Sequence, residues 1–175
     1  MYGRLIKKHP VAINCLTAMG LFSSGDAIAQ LGIEHKSEWD MSRTAKAATY
    51  GIIWAPIGDR WYKILGRIGG GKSGIVPTLK KVAIDQLVFA PTVGIPLYFT
   101  AMGVLNGKLV SEIQLQLKTK WRDTLYSNWM IWPWTQMANF YIVPVHYQLG
   151  ASSVVGLGWN SYLSWKNYQS ISKKG

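Results

Sequence analysis

The chain has 175 residues, of which 49% are apolar and only 15% charged, with a formal net charge of +11; an average soluble protein is roughly 25% charged. The cations form short clusters between apolar runs: Arg4, Lys7 and Lys8; Lys63, Arg67 and Lys72; Lys80 and Lys81; Lys118, Lys120 and Arg122. That placement suits headgroup contact, at about 1 kcal/mol per cation near an anionic surface, and argues against a nucleic-acid partner. The single cysteine, Cys15, excludes an intrachain disulfide framework and is expected as a small buried hydrophobe.

Met1 to Pro10 is basic and free of acidic residues, and reads as the flank of an uncleaved first span rather than a removable leader. The first apolar run, Val11 to Ile33, holds Asp26 as its only formal charge. The second, Ala47 to about Gly58, stops short at Asp59 and Arg60. The third, Val82 to Leu105, is interrupted only by Asp85, and the fourth, Leu125 to Val145, has no formal charge. A bilayer core takes roughly 20 helical residues, so the first, third and fourth qualify directly. The second spans if Asp59 and Arg60 sit at an interface or pair inside the bundle. A fifth stretch, Leu149 to Trp165, is shorter and rich in Gly and Ser; a further span, a re-entrant helix and an interfacial one all stand open for it, and packing alongside four spans is the preferred reading. The expected fold is therefore one all-α domain over residues 1–175, an integral membrane bundle of about four transmembrane helices plus that C-terminal apolar helix.

Pro91, Pro96, Pro133 and Pro144 all fall within apolar runs. Membrane bundles accept such prolines where neighbouring side chains satisfy the freed backbone groups. Gly20, Ser23, Ser24, Gly25, Ala27 and Ala29 would let the first helix approach another closely, as would Gly150, Ser152, Ser153, Gly156 and Gly158 at the C-terminal end.

Polar residues inside these runs are the candidate site. Ser23, Asp26 and Gln30 share one helical face, Asp85 and Thr92 lie near one stripe, and Trp129, Trp132, Gln136, Asn139 and Val143 recur at steps of three and four. A carboxylate near the bilayer centre costs about 2.5–3.5 kcal/mol on insertion scales, so it faces a partner, a cavity or water. Two readings stand open: a polar lining made by Asp26, Gln30, Asp85, Gln136 and Asn139, or interhelical bonding such as Asp26 with Gln136 and Asp85 with Arg60.

Gly66 to Ser73 matches G-x-x-x-x-G-K-S. The phosphate-binding version needs a strand before and a helix after; here Trp61 to Leu65 reads as a helix end and Pro77 follows closely. His9, His35 and His146 have no metal-ligand spacing. Neither enzyme chemistry, a metal nor a cofactor is expected.

One set of residues is distinctive: Trp129-x-x-Trp132-Pro133-x-x-Gln136-x-x-Asn139-Phe140-x-x-Val143-Pro144, then Trp159-Asn160-Ser161-Tyr162-Leu163-Ser164. With Gly25-Asp26-x-x-x-Gln30, Arg43-Thr44, Trp61-Tyr62 and Asp85-Gln86 leading to Phe89-Ala90-Pro91, nearly the whole chain is covered. In these residues the sequence resembles the family of Mpv-seventeen and the twenty-two-kilodalton peroxisomal membrane protein. Asn106-Gly107 and Trp159–Lys166 look most like its mitochondrial Mpv-seventeen and Sym-one branch. Many relatives carry Gly-Pro and then a His before the Trp-Tyr pair. Here the stretch is Ala55 to Arg60, so no role of that His carries over. The resemblance implies the mitochondrial inner membrane, with the peroxisomal membrane as the alternative. It also implies a channel that passes ions or small metabolites and supports metabolite homeostasis and mitochondrial DNA maintenance. A non-conducting scaffold for proteins or lipids is the rival. The expected partners are the bilayer and further copies of the chain.

Overall fold

The computed structural model describes residues 10–68 and 74–172. Among them helices α1 (Pro10–Ala27), α2 (Met41–Ile68), α3 (Ile75–Ile84), α4 (Ile95–Leu105), α5 (Val110–Ile142) and α6 (Val145–Ser172) follow in order, with no strand. Two π-helical segments continue the rods: Ile28–Ile33 extends α1, and Asp85–Gly94 joins α3 to α4. The chain forms two compact units, one of residues 1–60 and 153–175 and the other of residues 61–152.

Two rods, Val11–Ile33 with 23 residues and Ile75–Leu105 with 31, are long and apolar enough to cross a bilayer. The helix that holds the second apolar run, α2, continues beyond that run through Asp59 and Arg60 to Ile68, taking in the Trp61 to Leu65 stretch read as a helix end. The fourth run is cut before its expected end. Pro144 disfavours helical geometry in the residue before it, so Val143 is extended at φ −93° and ψ 128°. The chain restarts there as α6, longer than the stretch read from the sequence.

Polarity is distributed inside out. Among the described residues, buried polar and charged residues outnumber the buried apolar ones, while Leu16, Leu87, Val104, Met130, Trp134, Ile142 and Val154 are all more than half exposed. In water such a surface would be an association liability; against lipid it is the stable arrangement, because the bilayer cannot satisfy a polar group.

In the unit of residues 1–60 and 153–175, α1 runs antiparallel to α2. Asn14 donates to Asp59 Oδ1 (3.3 Å), and Phe22 meets Tyr50 edge-on (4.9 Å). The close approach comes from Gly51, where a Cβ would stand 2.7 Å from the Ala18 carbonyl oxygen, and from Gly25, where it would stand 2.8 Å from Asn160 Cβ. A Cβ placed on Gly20, Gly150, Gly156 or Gly158 would meet nothing within 4 Å, so those glycines are not required by a close backbone approach. Cys15 is half-buried rather than buried. Its Sγ lies 3.9 Å from the Ile52 carbonyl, the group that Pro56 leaves without an intrahelical donor.

In the unit of residues 61–152, the rod α3–π–α4 runs antiparallel to α5. Within the π segment each N–H bonds five residues back, as Ile95 does to Ala90. Pro91 and Pro96 have no N–H, which frees the carbonyls of Gln86 and Pro91. Both are taken by indoles of α5: Trp129 Nε1 donates to Gln86 O and Trp121 Nε1 to Pro91 O, each at 2.9 Å. Two tryptophans thus replace the two missing donors, as an apolar solvent requires.

Candidate functional site

Polar side chains gather into one buried cluster in each unit. In the first, Asp26 and Gln30 sit one turn apart on α1 and its π extension. The loop after Ile33 turns at His35, whose φ is 50°. It then returns so that Asp40 Oδ1 accepts the Arg43 N–H (2.9 Å), capping α2. This brings Arg43 and Thr44, on the first turn of α2, against Asp26. Asp26 is fully buried, and each of its oxygens accepts two hydrogen bonds. Oδ1 accepts from Arg43 Nε (2.8 Å) and Ser164 Oγ, and Oδ2 from Gln30 Nε2 (2.8 Å) and Thr44 Oγ1 (2.7 Å). Its acceptor sites are filled.

Arg43 reaches further, gripping Glu34 with both terminal nitrogens at 2.7 Å, the bidentate geometry that makes an arginine–carboxylate pair strong. One guanidinium therefore serves two carboxylates. Gln30 imitates a backbone partner: its Oε1 accepts the Asp40 N–H (2.8 Å) and its Nε2 lies 3.1 Å from the Asp40 carbonyl. Ser164 of α6 also accepts from Arg43 (3.2 Å). The arrangement joins α1, its return loop, α2 and α6 through one ion pair.

The second cluster centres on Asp85, the first residue of the π segment. Trp61 Nε1 donates to its Oδ1 (2.6 Å), while Gln86 (2.7 Å) and Gln136 (3.0 Å) donate to Oδ2. Among the described residues no cation pairs with Asp85. The bonding continues outward on both sides. Asn128 donates to Gln86 Oε1 (2.7 Å), and Asn139 donates to Gln136 Oε1 and to the Gln148 carbonyl (both 3.1 Å). Gln136 also donates to Tyr62 Oη (3.1 Å), which pairs with Ser152 Oγ (3.0 Å). Asn139 Oδ1 is buried and has no partner. The ring of Trp61 stacks on Phe89 with centroids 4.2 Å apart, fixing the indole that holds Asp85.

The sequence-derived residues divide accordingly. Asp85, Gln136 and Asn139 are brought together; Asp26 and Gln30 belong to the other cluster. Asp26 takes Arg43 rather than Gln136 as its partner, and Asp85 takes Trp61, Gln86 and Gln136 rather than Arg60, which is exposed. Thr92 is also exposed, bonded to the Val88 carbonyl of its own turn (2.6 Å), because the wide π turn rotates it off the Asp85 stripe. Of the motif residues, Trp129 bonds Gln86 O, Trp132 and Pro133 are half-buried on α5, and Phe140 packs on Tyr62 and Leu65. Pro144 stands immediately before α6, and Asn160 is buried against Gly25. Trp159 stacks at a tilt on Tyr162. Glu34, Asn128, Tyr62, Gln148 and Ser164 were not singled out as site residues, since their neighbours exist only in the fold. Of the residues that complete the two clusters, Arg43, Thr44, Tyr62, Gln86 and Ser164 were visible only as motif letters. Among the described residues no group of His, Cys, Asp and Glu could hold a metal ion. Gly69–Ser73 of the Gly-rich pattern, like Met1–His9, lies outside the described residues; the residues before it end a helix, not a strand.

The sequence model of the Mpv17 / PMP22 family matches residues 103–164, which take in α5 and most of α6. The chain is 41% identical to Protein SYM1 of Debaryomyces hansenii over 93% of its length and 85% of the relative's. It is 39% identical to Protein SYM1 of Saccharomyces cerevisiae, over 99% and 91%. It is also 39% identical to the mitochondrial inner membrane protein Mpv17 of Danio rerio, over 94% of each. No solved structure matches it significantly. The inside-out polarity and these near-full-length matches agree: this is a mitochondrial inner membrane protein, and it belongs to the Mpv17 / PMP22 family.

Proposed function

We propose that the chain crosses the inner membrane about four times and passes ions or small metabolites through the polar interior of residues 61–152. Metabolite homeostasis and mitochondrial DNA maintenance are the processes that such a path would support, an expectation that comes from the family resemblance. The observation that carries the reading is Asp85: a carboxylate only 5% exposed, held by neutral donors alone. When ionised, a carboxyl held this way has no counter-charge beside it and would draw a passing cation. Gln136, Asn139, Asn128, Gln86 and Tyr62 extend it into a hydrogen-bonded run, and the unpartnered Asn139 Oδ1 offers a further acceptor. Asp26 and Gln30 have a different role in this reading. With every acceptor site of Asp26 filled, the first cluster is a clamp.

That same filling favours the rival, a non-conducting membrane scaffold in which both clusters only join helices. Planar-bilayer recording under a salt gradient separates the two. A conductance whose reversal potential moves in Asp85→Asn, and not in Asp26→Asn, supports the path. Silence from well-folded wild-type protein, with further copies allowed to assemble, overturns it.

A further inference from the structure

One hydroxyl on α5 departs from the habit of the others. Ser23, Thr49, Thr92, Thr119, Ser127, Thr135 and Ser161 each donate to the carbonyl four residues back on their own helix, the usual way to satisfy a hydroxyl inside a helix. Thr124 is fully buried, and its Oγ1 has no partner among the described residues. A hydroxyl taken out of water without a hydrogen bond is costly, more so in hydrocarbon. Its position shows what it faces. Trp121, three residues before it, donates to the Pro91 carbonyl, and Asn128, four residues after it, donates to Gln86 Oε1. The three share one face of α5, so Thr124 is turned toward the π segment between those two oxygens. Each of the two oxygens has a second lone pair.

The same hydroxyl occupies a break in the buried polarity of α5. At one end Lys108 donates to Gln116 Oε1 (2.9 Å). At the other, Asn128 and Gln136 belong to the Asp85 cluster. Gln116 and Asn128 stand about 18 Å apart at 1.5 Å per residue, and among the described residues Thr124 is the only buried polar side chain on α5 between them. We propose that Thr124 holds a water molecule between α5 and the π segment, and that this water joins the Lys108–Gln116 end of the unit to the Asp85 cluster. Water fits the set: it accepts from the Thr124 hydroxyl, and the lone pairs of Gln86 Oε1 and Pro91 O are there to receive its two hydrogens. A bare cation would leave the hydroxyl hydrogen without an acceptor. The connecting role rests on the reading of residues 61–152 as a path; the water site itself does not.

The test uses the full-length chain with isotope-labelled threonine in phosphatidylcholine bilayers. Water-edited solid-state NMR times the transfer of magnetisation from water to each threonine, and the Thr124→Val and Thr92→Val spectra assign the two signals needed. Thr92, exposed on the rod and bonded to its own Val88 carbonyl, is the dry reference. Transfer to Thr124 should be at least threefold faster than to Thr92; equal or slower transfer overturns the water site. In planar bilayers Thr124→Val should lower the conductance at least threefold without moving the reversal potential, while Thr124→Ser stays within twofold of wild type. An unchanged conductance in Thr124→Val overturns the connecting role. A silent wild type whose Thr124 is wet refutes conduction and supports the water site.

Discussion

Replacing Asp26 with Asn removes the charge from the ion-paired cluster while nearly preserving its shape. Asn can keep one oxygen toward Arg43 Nε and Ser164, but its amide nitrogen then faces Gln30 Nε2 and Thr44 Oγ1 where Oδ2 had accepted both. Thr44 can turn its hydroxyl; the Gln30 amide is fixed by Asp40 on both sides and cannot flip. One donor–donor clash and one lost ion pair result. Breaking a buried pair costs about 3–5 kcal/mol, and the surviving bidentate grip of Glu34 on Arg43 puts this case at the lower end, about 3 kcal/mol. For 175 residues the unfolding entropy is roughly 0.4 kcal/mol/K, so the melting temperature should fall by about 8 °C. The intrinsic fluorescence of the nine tryptophans reports the transition in detergent. Asp26→Asn combined with Arg43→Gln should be less damaging than the two losses added, by at least about 1 kcal/mol, since the residues share one interaction. A single variant melting within 2 °C of wild type, or strict additivity, would show that the cluster does not hold this unit together.

Trp129→Phe strips the donor from the Gln86 carbonyl and should cost about 1–3 kcal/mol; introducing Pro91→Ala, which restores a backbone N–H to that carbonyl, should recover part of the loss, and thermal melts of the four-member cycle measure it. Gly51→Ala places a methyl against the Ala18 backbone and should destabilise by about 1–3 kcal/mol, whereas Gly20→Ala, with open space around it, should melt with the wild type or slightly above. An equal effect at both glycines would remove the case for close approach at Gly51.

What the sequence made legible follows periodicity. Asp26 and Gln30 lie four apart in one rod, and the four-residue spacing alone puts them on one face; they do bond directly. Gln136 and Asn139 share a face on α5 for the same reason. The partners across helices were not legible. Arg43 reaches Asp26 only because a loop turning at His35 brings the start of α2 back onto α1. Hydropathy marked the third run well, yet it cannot register a π turn, which keeps the composition and changes the rotation; Thr92 left the Asp85 stripe on that account. Small residues told which helices could approach, not which did: a Cβ on Gly25 would strike α6, while one on Gly20 of the same helix would meet nothing within 4 Å. The end of the fourth run was misjudged because Pro144 is apolar by composition and a helix terminator by geometry.

The borrowed indole donors have a consequence for biogenesis. The Ile75–Leu105 rod has two carbonyls, at Gln86 and Pro91, that its own backbone cannot satisfy. Left alone in hydrocarbon, each would cost several kcal/mol, so the rod is a poor free-standing span however apolar it is. Its donors sit on the next helix in the chain, beyond a turn of four residues, 106–109. The rod is therefore stable in hydrocarbon only once α5 has folded back onto it, so the two helices form an interdependent pair, and a chain cut before Trp121 should leave the rod poorly inserted.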